Sequence, residues 1–322
     1  MNLALNKFAK FAWGVLAFNV LVIIWGAFVR ATGSGAGCGQ HWPSCQGDVI
    51  PFAPAIETVI EFTHRLTSGT AFILVVVMLV WAFKAYPAGH IVRRGAGLSM
   101  LFMITETLVG ASLVLFGWVA YNQSTIRAVV MAVHLVNTFL LMASITLTAW
   151  WASGGQPMRL KGQGPLGIAI GIGFLGILVL GASGGVTALG DTLFPAGSLA
   201  EGFADDFAST AHFLVRLRVY HPIIAVLVGV YNVVVMAVYN ARRGTSQSKL
   251  FAKGFTAIFV FQLIFGALNV VLLAPVWMQL THLFITDMLL IVYILFVATA
   301  LTLPAGDKRA VDVPNMSAQP SS

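Results

Sequence analysis

Four histidines lie inside long apolar stretches of the chain: His64, His134, His221 and His282. Ionisable side chains are costly in hydrocarbon surroundings and mark functional sites there. One such histidine alone is more often a hydrogen-bonded core residue, but four in matching places favour metal ligands. Two neutral imidazoles at one depth on facing helices suit axial coordination of haem iron from both sides. We therefore expect His64 with His134 to bind one haem iron, and His221 with His282 to bind a second.

The remaining histidines are poorer candidates for ligands. His41 and His90 fall in predicted loops, and His212 precedes His221 by nine residues on the same predicted helix. One helix cannot bring two residues with that spacing to a single iron, so we interpret His212 as an interfacial residue. A zinc or copper site would need three or four ligands packed together, which this distribution does not favour.

Five arginines lie at or near the outer ends of predicted helices, against the general bias of basic residues toward the other side. Arginine is a natural partner for carboxylates at a water interface, so we expect these residues to bind haem propionates. Contact with lipid headgroups stays open as an alternative for Arg30 and Arg127. They are Arg30, Arg65, Arg127, Arg216 and Arg218.

Glu61 is the strongest candidate for a catalytic group. It lies three residues before His64 and therefore on the same helix face. A carboxylate beside a bound macrocycle can act as a base or stabilise positive charge that develops on a substrate carbon. Arg218 stands at the equivalent place in the second half, so the carboxylate belongs to one half only. The alternative is that Glu61 orients an imidazole or pairs with Arg65.

Two other carboxyl groups lie within predicted spans. Glu106, in the third span, is expected to hydrogen-bond within the bundle or to relay protons, and its counterpart Gln262 favours a structural contact. Asp287 follows His282 by five residues and is a candidate for supporting a ligand without touching the iron.

Helices that cross a bilayer must position these residues. The chain of 322 residues is 58% hydrophobic and only 9% charged, whereas roughly a quarter of the residues of a soluble domain are charged. Crossing a hydrocarbon core of about 30 Å takes about 20 helical residues. We predict an all-α integral membrane protein with eight transmembrane helices. The apolar runs are 11–30, 58–83, 97–118, 126–151, 166–188, 213–240, 254–274 and 279–303.

The basic residues predict the orientation of these spans. If the spans alternate, most lysines and arginines fall in loops on one side, which the positive-inside rule makes cytoplasmic. We therefore expect a multi-pass protein of the cell membrane, with both termini cytoplasmic and the haem sites toward the extracytoplasmic side. The first span is too long for a signal peptide and is expected to be retained. The net charge of +7 is spread over short loop clusters and does not indicate nucleic-acid binding.

The chain contains two cysteines, Cys38 and Cys45, and both fall in the first extracytoplasmic loop. That compartment is oxidising, and a disulfide can persist there. We expect a bridge that pins the loop, the alternative being two unpaired thiols.

The two halves of the chain resemble each other at a shift of about 155 residues. The shift aligns the first histidine of each half, the second histidine of each half, and Gly26 with Gly181. Each half has four spans, so the repeat is parallel, and we expect two four-helix bundles related by a pseudo-two-fold axis along the membrane normal. The expected bounds are 1–153 for the N-terminal bundle, 154–165 for a cytoplasmic linker, 166–303 for the C-terminal bundle and 304–322 for a disordered cytoplasmic tail.

The strongest motifs lie in the first 70 residues. The stretch from Gly26 to Cys45, followed by Glu61-Phe-Thr-His64-Arg65, resembles the first half of the haem A synthase family. Two cysteines seven residues apart in the first outer loop, followed by a Glu-x-x-His-Arg helix, form a specific combination. The similarity extends over essentially all eight predicted spans.

The resemblance implies an oxidoreductase that converts the C8 methyl group of haem O to the formyl group of haem A, with water as the oxygen source. It implies that His64 and His134 hold the substrate haem, that Glu61 acts in the oxidation, and that His221 and His282 hold haem b as an electron carrier. The implied partners are the lipid bilayer, haem O, haem O synthase and oxidase assembly factors. The sequence identifies neither the electron acceptor nor the oligomeric state, and a homo-oligomer stays open.

One residue departs from the first-half motif. Pro222 follows His221, where arginine follows the histidine of the first half, and Arg216 and Arg218 precede it instead. Proline inside a helix removes a backbone donor and can kink the helix. We therefore expect a different arrangement of propionate contacts and a different local geometry at His221.

Two other functions stay open. A membrane cytochrome b that carries electrons from quinol would use the same histidines, but it has little use for a carboxylate in one half only. A transporter for haem or a small solute is disfavoured by the parallel repeat and the paired histidines. Glu61 and the cysteine loop therefore favour the enzyme.

Overall fold

A computed structural model describes residues 5–302, so the predicted tail at 304–322 lies outside the described residues. The regular structure in this range is helical. The α-helices are α1 Lys7–Ala31, α2 Ile56–Ala85, α3 Ile91–Leu115, α4 Thr125–Ala152, α5 Gly164–Leu193, α6 Leu199–Phe207, α7 Phe213–Leu217, α8 Tyr220–Arg243, α9 Ser246–Val271 and α10 Val276–Ala300.

The described part of the chain contains eight helical segments that are long and apolar enough to cross a membrane, with α7 and α8 together forming one of them. A bilayer offers the backbone no water to bond, so a crossing segment must satisfy its own hydrogen bonds as a helix. The prediction of an all-helical protein with eight spans is confirmed. The division into two bundles related by a pseudo-two-fold axis stays a prediction.

Helices α4 and α10 form the centre of the structure. In their most apolar windows 44% of α4 and 50% of α10 is buried, against 17–33% for the other spans. Helix α4 packs against α1, α3, α5 and α10, so it joins elements of both halves. Phe139 of α4 and Tyr293 and Phe296 of α10 are fully buried in this core. The two helices that carry His134 and His282 are therefore also the best-packed ones.

The sixth span is interrupted between α7 and α8. Tyr220 is the first residue of α8, so Pro222 occupies the first turn, where backbone N–H groups lack intrahelical partners in any case. A proline ring also clashes with the carbonyl group four residues earlier, which here belongs to Arg218. The chain is therefore interrupted before Pro222 instead of kinked at it. The short helix α6, which precedes this span in the outer loop, was not predicted.

Candidate functional site

The histidines of the C-terminal half face each other. His221 lies in the first turn of α8 and His282 lies on α10, and their ring centroids are 6.4 Å apart. Two metal–imidazole bonds of about 2 Å each, with about 1 Å from each bonded nitrogen to its ring centre, add up to about 6 Å. The separation of the two rings therefore matches the distance that two ligands of one iron require, and their binding of iron stays a prediction.

The histidines of the N-terminal half lie near each other and near one carboxylate. His64 lies on α2 and His134 on α4, within range of each other's charge. Oε1 of Glu106 on α3 lies 3.2 Å from Nδ1 of His134. Two imidazoles and a carboxylate are thus brought together by three different helices.

Each of the four histidines packs against a glycine of a neighbouring helix. A Cβ atom added to Gly26 would lie 2.9 Å from His64, one on Gly184 would lie 3.0 Å from His221, and one on Gly266 would lie 3.1 Å from His282. The equivalent distance from Gly110 to His134 is 3.7 Å. The imidazole rings therefore lie close to the backbone of the neighbouring helices.

These contacts correct the predicted alignment of the two halves. The sequence aligned Gly26 with Gly181, but it is Gly184 that contacts His221 as Gly26 contacts His64. Gly181 instead packs against Phe139 of α4. The sequence offered several glycines within one helical turn, and only packing distinguishes the one beneath the imidazole.

The ring nitrogens show that these histidines are not all hydrogen-bonded core residues. Within residues 5–302, Nδ1 is buried without a hydrogen-bond partner in His64, His134 and His282. Nδ1 of His221 lies 3.0 Å from Oγ of Ser183. An unsatisfied buried polar atom costs about 1–3 kcal/mol, so hydrogen bonding through Nδ1 does not explain the burial of three of the four. The residues present fit the binding of haem iron.

Glu61 is buried beneath the disulfide loop. Its Oε2 accepts a 2.8 Å hydrogen bond from the backbone N–H of Cys38, and its Oε1 lies 2.5 Å from Nη2 of Arg65. The pairing with Arg65 that the sequence left open is therefore present. No hydrogen bond joins Glu61 to His64 in the described part of the chain.

Arg65 of α2 holds the same loop through hydrogen bonds. Its Nη1 donates to the carbonyl oxygen atoms of His41, at 2.6 Å, and of Ser44. Cys38 and Cys45 form a disulfide, as predicted, and both are fully buried. The loop thus covers the outer end of α2, above Glu61.

The arginines of the C-terminal half differ in their contacts. Arg218 donates to Asp206 at 3.0 Å and to Asp191 at 3.2 Å. Arg216 is exposed, and its side chain makes no hydrogen bond or ion pair with the residues that the structure describes. The binding of propionates by Arg65, Arg216 and Arg218 stays a prediction, and Arg216 is the one whose guanidinium has no competing partner within residues 5–302.

The other two outer arginines bind protein groups. Arg30 of α1 donates to the carbonyl oxygen of Ala188 at 2.5 Å and to Thr192 at 2.6 Å, both on α5. Arg127 donates to the carbonyl oxygen atoms of Ala120 and Asn122. The link from Arg30 to the other half was not foreseen, because no sequence pattern pairs residues so far apart.

The histidines that were not expected to bind iron have other contacts. His212 caps α7 by accepting a hydrogen bond from the backbone N–H of Leu214, and its ring stacks on Phe194. His90 caps α3 in the same way. The interfacial interpretation of His212 fits this position.

A family model described as "Cytochrome oxidase assembly protein" matches residues 9–294. The chain belongs to this family. Two proteins of Thermus thermophilus strains named "Protoheme IX farnesyltransferase" are each 54% identical over 306 residues, which is 95% of this chain and 50% of the relative. The chain therefore spans about half the length of these relatives.

Proteins named "Heme A synthase" match shorter stretches of this member of the cytochrome oxidase assembly protein family. The one from Shouchella clausii is 43% identical over 128 residues, 40% of each chain, and the one from Bacillus mycoides is 35% identical over 144 residues, 44% of each chain. These relatives confirm the resemblance drawn from the motifs. The roles of individual site residues stay predictions.

Proposed function

We propose that the protein is a haem A synthase, which oxidises the C8 methyl group of haem O to the formyl group of haem A for cytochrome oxidase assembly. The observation that carries the proposal is the asymmetry between two otherwise matched histidine sites. The N-terminal half has Glu61 and Glu106, where the C-terminal half has Arg218 and Gln262. Carboxylates at these two matched positions in one half only fit one reacting site and one electron-carrying site.

The proposed N-terminal site binds the substrate haem O through His64 and His134. Conversion of a methyl group to a formyl group with water as the oxygen source releases four protons and four electrons per turnover, the electrons passing to an acceptor outside the protein. We assign to Glu61 the stabilisation of positive charge on the reacting carbon or the acceptance of a proton. The disulfide loop above Glu61 limits access of bulk water.

The proposed C-terminal site holds the resident cofactor through His221 and His282. Haem b, when bound there, supplies one-electron transfer. The contact of Ser183 with Nδ1 of His221 orients that ring, since the second ring nitrogen of a ligand histidine fixes its tautomer and direction. Arg216 is the candidate in this half for contact with a propionate.

The proposed partners follow from the chemistry of the substrate. Haem O must be supplied by an enzyme that attaches a farnesyl group to protohaem. The Thermus relatives are named for that reaction and are about twice as long as the matched region, which supports physical association of the two activities. We place the protein in the cell membrane, with both termini cytoplasmic and both haem sites toward the outer face.

The second candidate is a membrane cytochrome b that leaves its haems unmodified. The ion pair between Glu61 and Arg65 favours it, because the contacts of Glu61 with Arg65 and with the disulfide loop give this carboxylate a structural role that does not require catalysis. The two candidates predict different products from the same histidines.

The deciding experiment is pigment analysis of the protein purified from cells that make haem O, by optical spectra and by chromatography of the extracted haems. Haem b together with haem O or haem A is expected for the synthase. Haem b alone would favour the cytochrome, and absence of haem would overturn both. Glu61→Gln should retain both haems and lose haem A production, whereas full production would remove Glu61 from the reaction.

A further inference from the structure

Glu106 makes its closest contacts with α4, the helix that carries His134. Its Oε1 lies 3.2 Å from Nδ1 of His134, an ion-pair distance at which the ring N–H is not aligned as in a hydrogen bond. The same oxygen accepts a hydrogen bond from Thr138, and Oε2 accepts one of 2.6 Å from Asn137. Both carboxylate oxygens are thus held in place beside a predicted iron ligand.

The C-terminal half has the same construction with an amide in place of the acid. Gln262 of α9 donates from Nε2 to Thr286 at 2.7 Å and to the carbonyl oxygen of His282 at 2.9 Å. Thr286 follows His282 by four residues, as Thr138 follows His134. Nδ1 of His282 has no hydrogen-bond partner among residues 5–302. No carboxylate therefore acts on this ring from the position of Gln262.

The difference in charge between Glu106 and Gln262 affects the reduction potential of the bound iron. A carboxylate beside the second nitrogen of a ligand histidine makes the imidazole a stronger donor. Such contacts and local charge set the reduction potential of haem iron, and charges act strongly in a weakly polar interior. A negative group stabilises the more positive ferric state, so iron bound by His134 becomes easier to oxidise.

We propose that Glu106 is a positioning residue that acts through His134 to lower the reduction potential of haem iron in the N-terminal half below that in the C-terminal half. The inference rests on the proposed function, because it takes the histidine pairs as the iron ligands. Arg65 is the other charged side chain within residues 5–302 whose charge reaches His64, and it is paired with Glu61. Glu106 therefore provides the uncompensated charge beside the histidines.

The test is a spectroelectrochemical titration of haem-loaded protein purified from cells that make haem O. Glu106→Gln gives the N-terminal half the amide of the other half, and Gln262→Glu makes the reciprocal change. We expect the first variant to raise the midpoint potential of the N-terminal haem and the second to lower that of the C-terminal haem. Each shift should reach about a tenfold change in the reduction equilibrium, roughly 59 mV for one electron.

Two controls assign and calibrate the shifts. Glu57→Gln removes the same charge from an exposed position in the first turn of α2, where water and salt screen it, so both potentials should stay unchanged. His282→Ala removes a ligand of the C-terminal site, so the haem component that remains in this variant is the N-terminal one.

Unchanged potentials in Glu106→Gln protein that retains both haems would overturn the inference. If that variant does not accumulate, Gln262→Glu decides the question. An unchanged midpoint potential of the C-terminal haem in this variant would show that a carboxylate at this position does not lower the potential of the iron. Wild-type protein without haem would overturn the proposed function together with the inference. Haem-loaded variants without a shift would overturn the inference alone.

Discussion

Arg30 of α1 donates a 2.9 Å hydrogen bond to the side-chain oxygen of Gln279 on α10, a residue 249 positions later in the chain. With its bonds to Ala188 and Thr192 on α5, the guanidinium ties the first helix of the N-terminal half to two helices of the C-terminal half. A single arginine therefore joins helices that contribute to both predicted haem sites.

We expect Arg30→Ala to destabilise the protein, because three acceptors lose a charged donor. Hydrogen bonds to charged groups contribute about 1.5–3 kcal/mol each, so a loss of about 3 kcal/mol is a conservative expectation. Thermal unfolding in detergent measures it. Arg242→Ala is the matched control, since Arg242 is exposed and makes no side-chain hydrogen bond or ion pair within residues 5–302, and the Tm of this variant should stay close to that of the wild type.

The histidine–glycine contacts predict that alanine is tolerated at one glycine and not at another. In Gly26→Ala the new Cβ would lie 2.9 Å from His64, so the imidazole must move, whereas in Gly110→Ala it would lie 3.7 Å from His134, an ordinary contact. We expect Gly26→Ala to lower the haem content of the purified protein and Gly110→Ala to leave it unchanged. Equal haem-to-protein ratios in both variants would contradict a role of Gly26 in placing His64.

The ion pair beneath the disulfide loop can be tested with a double-mutant cycle. Arg65→Met leaves Glu61 buried without its cation, and breaking a buried pair in this way costs about 3–5 kcal/mol. Adding Glu61→Gln removes the unpaired charge, so the double variant should recover part of the lost stability. Thermal unfolding of the four proteins gives the coupling energy. Additive losses would show that the pair does not hold the loop.

Part of this structure could be predicted from the sequence because the bilayer restricts it. Spans such as 126–151 follow from the need to bury apolar side chains and satisfy backbone groups internally, and the closeness of His221 to His282 follows from their predicted places on facing helices of one half. The partners of Arg30 and the glycine beneath His221 could not be predicted in this way. They depend on which helix faces pack together, and hydropathy carries no information about rotation of a helix in lipid.

The last prediction concerns two aspartates for which the same substitution should have different effects on the Tm. Asp287 of α10 is fully buried, and neither of its carboxyl oxygens has a hydrogen-bond partner within residues 5–302. An ionised carboxylate without a partner is very costly in such surroundings, so Asp287→Asn should leave the Tm unchanged or raise it.

Asp191 of α5 lies 3.2 Å from Nη1 of Arg218, and Asp191→Asn removes the charge of an ion pair. That variant should lower the Tm, because Arg218 keeps its burial and loses one of its two anionic partners. A lower Tm for Asp287→Asn would mean that the carboxyl group has a bound partner, such as an ordered water molecule that the amide cannot serve. Measurement of the haem content of the same variant then separates a structural role of Asp287 from the predicted support of His282, because loss of that support lowers the haem content while the fold is retained.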